Sequence, residues 1–142
     1  MGRFYLLVFF STIRMSNEVF WTTKAFESGT IDRLLIFFIF VLYNYKNEIE
    51  QVRIEGHTSS VYSSAKNESE KYAKNKELST KRANKVVDYV SSIPNNFIIE
   101  HKDWLNDYVK PYGMASDKLI YKQGVEDESL SRRVEFVIIK KK

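Results

Sequence analysis

The chain has 142 residues, a length that suits one domain, and sets 22 Lys+Arg against 18 Asp+Glu for a formal charge of +4. Apolar residues make up 44% and charged ones 28%, the balance of a folded domain and not of a disordered tail. The charges are interspersed, so the weakly basic surface singles out no nucleic-acid or lipid partner, and the absence of cysteine excludes a disulfide scaffold, a thiolate zinc site and a cysteine nucleophile.

Two apolar runs come first, FYLLVFFSTI (4–13) and LLIFFIFVLY (34–43). A membrane-spanning helix needs about 20 apolar residues, and each run is about half that. The first follows Met-Gly-Arg like the start of a secretory signal, but no small-x-small cleavage site follows it, so a buried strand is favoured over a signal or anchor remnant. The second passes into YNYKNEIE and reads as a buried helix packed on a sheet, with a central strand as the alternative. Residues 1–49 are thus an N-terminal strand and apolar helix, and residues 50–142 form the main domain.

QVRIEG (51–56) predicts a short strand, with Arg53 and Glu55 on one face and Ile54 on the other. SSVYSSAKNESEKYAKNKE (59–77) lacks an apolar period and reads as a long exposed loop. In LSTKRANKVVDYVSSIP (78–94), Ala83, Val86, Val87 and Val90 share one helical face while Lys81, Lys85 and Asp88 look away. Ser79 is a suitable N-cap for that helix and Pro94 a stop. NFIIEHKDWL (96–105) predicts a second helix or a connector, and YVKPYGM (108–114) a strand compromised by Pro111. SDKLI (116–120) is a turn into an extended piece, VEDESLSRR (125–133) a polar or single helical turn, and VEFVII (134–139) a closing strand. The order argues an α/β fold, specifically an α+β two-layer sandwich with helices on one face of a mixed sheet.

Three separated segments carry a resemblance: IEGHT (54–58), Asn75 with LSTKRANKVVDYV (78–90), and SRRVEF (131–136), with YGMASDKLI (112–120) in the matching place between them. Together they resemble the OmpA-like domain, also found in Pal lipoproteins and MotB-type motor stators, over roughly residues 50–142. The resemblance implies the family's β-α-β-α-β-β sandwich and noncovalent binding of the diaminopimelate residue of the peptidoglycan stem peptide. It implies a ligand site drawn from Thr58, Ser59, Asn75, Leu78, Ser79, Arg82 and Arg133.

In that family a carboxylate immediately after G-H-T holds the ligand's ammonium, and the arginine of L-S-x-x-R-A holds its carboxylate. A helix beginning at Ser79 would offer free backbone N–H groups to an anion, with the Arg82 fork on the same side. Position 59 departs from the family, because a serine stands where the aspartate belongs. The lost charge-assisted bond is worth roughly 1.5–3 kcal/mol. Glu68, Glu70 or Glu77 in the long loop are candidates to replace it, although solvated glutamates are the favoured reading.

His57 is read as a turn histidine bonded to backbone; His101 lies in an unrelated segment, so no metal-ligand cluster is expected. SSAK (63–66) matches S-x-x-K but stands in a polar loop without S-D-N or K-T-G elsewhere. Arg133 and Glu135 are expected to pair near the sheet edge, with Arg133 in the pocket as a secondary role. Trp21 and Trp104 are assigned to packing. The resemblance implies a binding module of the cell envelope, and the chain offers an enzyme no nucleophile–base pair and no metal cluster. Its partner would be peptidoglycan, through a periplasm-facing domain anchored by a membrane-bound partner or by an N-terminal part missing from this chain. The alternative is a structural or protein-interaction domain that keeps the fold without the ligand.

Overall fold

The computed structural model describes residues 3–5 and 30–142. The rest of the first apolar run and Trp21 lie outside the described residues. The elements are β1 (Arg3–Tyr5), α1 (Thr30–Asn44), β2 (Ile49–Gly56), α2 (Glu68–Ser92), α3 (Asn96–Glu100), α4 (Lys102–Tyr108), β3 (Val109–Gly113), β4 (Tyr121–Lys122), β5 (Val125–Glu126), α5 (Glu128–Ser131) and β6 (Val134–Lys140).

The main sheet has the order β1-β6-β2-β3, with β2 parallel to β3 and antiparallel to β6, which is itself antiparallel to β1. The parallel pair needs a long crossover, and α2 to α4 supply it. This is the expected α+β sandwich on a mixed sheet. β4 and β5 form a separate hairpin between β3 and β6. Pro111 is tolerated because β3 is an edge strand, where a missing N–H breaks no ladder bond on the open side.

One face of the sheet makes the core. Val52 and Ile54 are fully buried, and their register partners Ile138 and Phe136 stand on the same side. Over them lie Leu35, Phe38, Ile39 and Leu42 of α1 and Ala83, Val86 and Val90 of α2. Phe38 meets Phe136 edge-to-face at 5.2 Å. The LLIFFIFVLY run is therefore a helix packed in the core, and the predicted apolar face of α2 is the buried one. Tyr89 on α2 also donates to Asp32 on α1, and burial together with that bond raises its pKa.

One expectation needs correction. α2 begins at Glu68, not at Ser79, and consumes most of the supposed loop 59–77. Its first turns lack an apolar period, yet they are stabilised locally. The Asn67 side chain caps the helix by accepting from Glu70 N, and the Glu70 carboxylate accepts from Lys66 N, one residue before the cap. Glu68–Lys71, Glu70–Lys74 and Glu77–Lys81 then add pairs one helical turn apart. The expected pair of Arg133 with Glu135 is present, at the start of β6 and outside Val137–Ile139, where the described residues of β1 pair with that strand.

Candidate functional site

The site lies at the ends of β2 and β3, where α2 crosses the sheet at close range. A Cβ on Gly56 would stand 2.1 Å from Ser79 O, and one on Gly113 would stand 2.1 Å from Thr80 Oγ1. The helix can sit there only because both strands end in glycine.

At that crossing, successive inward positions of α2 bond the backbone of the two loops leaving the sheet. Asn75 Nδ2 donates to Ser59 O at 3.2 Å, and Arg82 Nη1 donates to His57 O at 3.0 Å. Ser79 Oγ accepts from Ala115 N at 2.9 Å and donates to Lys76 O. Lys76 Nζ reaches Gly113 O. Positions 75, 79 and 82 recur at helical spacing, so they lie along one face. Thr58 N in turn donates to Ala115 O at 2.8 Å, which joins the loops to each other.

The structure thus brings together Thr58, Ser59, Asn75, Ser79 and Arg82, all buried, with Leu78 half-buried on the same helix. Ser79, however, sits deep inside α2 and cannot present free N–H groups; the expected helix-terminus anion site does not exist there. Any affinity for an anion rests on the guanidinium. Arg82 is only 7% exposed and forms no ion pair with a carboxylate among the described residues. Burial, and then the neighbouring Arg132 guanidinium, lower its pKa. Glu68, Glu70 and Glu77 are engaged by lysines on the solvent side of α2, so none of them has moved into the place of the missing aspartate. Another carboxylate is near it: Glu126 of β5 accepts from Ser60 N at 3.0 Å and from the Ser60 hydroxyl.

Arg133 belongs to a different network, on the face of the sheet away from the core. Glu55 and Glu135 are register partners on β2 and β6, an arrangement of like charges that destabilises a sheet unless compensated. Arg53 stands 3.3 Å from Glu55 and Lys118 3.1 Å from it, while Arg133 pairs with Glu135. The His57 ring is fully buried between the two carboxylates, its Nε2 3.5 Å from Glu135 and 3.7 Å from Glu55. His57 and then Arg133 hold the Glu135 carboxyl down at about 2, against the opposing effect of burial.

This corrects the reading of His57. Its main chain is bonded at the turn, N donating to Arg133 O at 2.8 Å, but its ring has no backbone partner. A group with metal-ligating atoms does form, Glu55, His57 and Glu135 lying within 4.8 Å of one another, although the histidine partner is not His101. Three cationic side chains already neutralise those two carboxylates, so the cluster is a compensated ion network and not a vacant cation site. The SSAK motif lies in the loop before α2, and Trp104 packs on Tyr108 and Tyr43. Sequence reasoning missed Glu126, which the β4–β5 hairpin carries to the β2 loop, and the effect on Arg82 of Arg132, which follows α5.

No protein-family model matches the chain. It is 38% identical over 100 residues to Zorya protein ZorB of Escherichia coli, an alignment covering 70% of this chain and 42% of that relative. The chain therefore spans less than half the length of the relative it matches. No helix among the described residues is long and apolar enough to cross a membrane.

Proposed function

We propose that this chain is a non-catalytic module that binds cell-wall peptidoglycan by capturing a carboxylate of the diaminopimelate-containing stem peptide on Arg82. The observation that carries the reading is a nearly buried guanidinium with no carboxylate partner among the described residues. A charge removed from water normally finds a counter-ion, and a site that withholds one is prepared for an anionic ligand. The planar fork suits a carboxylate, and Asn75 and Ser79 hold the loops beside it in place. The ordered motifs that resemble the OmpA-like domain and the similarity to ZorB support the same reading. In that role the module faces the periplasm and tethers a membrane-bound partner to the wall.

Co-sedimentation with purified walls tests it. The domain is expected in the pellet with diaminopimelate-type peptidoglycan, released by excess free diaminopimelate, and in the supernatant with walls whose stem peptide carries lysine instead. Failure to pellet with either wall would overturn the reading in favour of a structural or protein-interaction domain.

A further inference from the structure

The loop after β2 carries an unpaired cation at one end and an unpaired anion at the other. Arg82 is bonded at His57, and Glu126 at Ser60. Neither forms an ion pair among the described residues, whereas Glu55, Asp127, Glu128 and Glu135 around them all do. Three residues of chain span at most about 10 Å, so His57 and Ser60, the two points at which these side chains are held, lie within that distance of each other. In the loop between them Thr58 is 2% exposed and its Oγ1 has no hydrogen-bond partner. A carboxylate has about four acceptor positions, and the two bonds from Ser60 leave Glu126 with capacity for a further donor.

We propose that Glu126 is the ammonium-binding half of the site whose carboxylate-binding half is Arg82, so that the ligand recognised is a zwitterion bearing both groups on one carbon. For the identity of the ligand this rests on the wall-binding reading above: the side-chain end of diaminopimelate has that structure. The charge absent at Ser59 is then supplied from across the chain by the β4–β5 hairpin, which Ser60 docks through two hydrogen bonds. A cationic donor on Glu126 makes the stronger, charge-assisted kind of hydrogen bond, and its loss is expected to weaken binding tenfold or more.

The test compares a soluble diaminopimelate stem peptide with the same peptide acetylated on its side-chain amine, by calorimetric titration. The wild type should prefer the free amine by about tenfold or more. Glu126→Gln, which keeps the shape and an acceptor oxygen for Ser60, should abolish that preference while the thermal melt stays within a few degrees. Arg82→Lys should weaken both peptides and retain a preference for the free amine. A merely structural Glu126 would lower the melting temperature and leave the preference intact, which overturns the proposal without touching the wall-binding reading. Equal affinity of the wild type for both peptides overturns it too. If neither peptide binds the wild type, the proposal falls, and failure of the wall sedimentation as well would show that the parent reading falls with it.

Discussion

Gly56 on β2 and Gly113 on β3 are register partners in the parallel pair, and the turn of α2 carrying Ser79 and Thr80 rests on both. The contact for Gly56 is to backbone: an added Cβ would meet Ser79 O at 2.1 Å and Ala83 N at 3.3 Å. No side chain there can rotate away, so α2 would have to lift off the sheet. Gly56→Ala is expected to cost about 3 kcal/mol or more in chemical denaturation. A loss below about 1 kcal/mol would mean that the helix does not cross so closely.

Ser79 is the second link between α2 and the loops. Its hydroxyl is the acceptor for Ala115 N, and Ala115 is fully buried in a left-handed conformation, φ 49°. Ser79→Ala leaves that N–H without a partner and is expected to destabilise the domain by about 1–3 kcal/mol. Amide exchange locates the effect. Ala115 N–H should lose protection in the variant, while the amides of Val86 to Val90 remain protected.

Glu135 gives the domain an acid limit. Its carboxyl is held at about 2 in the fold, against an ordinary value of 4.5. A depressed folded pKa adds stability that is complete above the unfolded value and lost as pH falls towards the folded one. The window is therefore about pH 5 down to about pH 2, and at most about 3 kcal/mol is involved. Denaturation midpoints measured between those limits should fall more steeply for the wild type than for Glu135→Gln, which should be the less stable of the two at pH 7. Parallel curves would remove Glu135 from the acid response, since Glu70, Glu77 and Asp127, also depressed, are common to both proteins.

Much of the fold was legible because the core obeys periodicity. Ile54 alternates with Arg53 and Glu55, and Ala83, Val86 and Val90 mark the buried helix face, as the structure has them. What failed was a boundary. The early turns of α2 are polar because only Asn75 and Ser79 turn inward there, and they bond loops instead of packing in the core. A hydrophobic period has nothing to register in such a segment, whereas the capping signal Asn67-x-x-Glu70 was present in the sequence. Ser79 therefore passed for a cap when it is a buried clamp.

The candidate site was legible only in part for a related reason. Thr58, Ser59, Asn75 and Arg82 lie in two short segments, and the segments meet. Glu126 comes from a hairpin docked by Ser60, and the Glu55–Glu135 network comes from strand register. Both depend on tertiary pairing between residues more than sixty positions apart, which no local pattern in the chain encodes.

Wall binding, as proposed, depends on Arg82. Its guanidinium holds the His57 carbonyl at 3.0 Å and, on this account, a ligand carboxylate with the remainder of its fork. Lysine at that position preserves charge but loses bidentate geometry, and alanine removes both. The decisive measurement is co-sedimentation of wild type, Arg82→Lys and Arg82→Ala with diaminopimelate-type walls, alongside their thermal melts. Affinity is expected to fall about tenfold or more in Arg82→Lys and to be unmeasurable in Arg82→Ala, with cooperative melts throughout. A folded Arg82→Ala that pellets with the wall as well as the wild type does would contradict it.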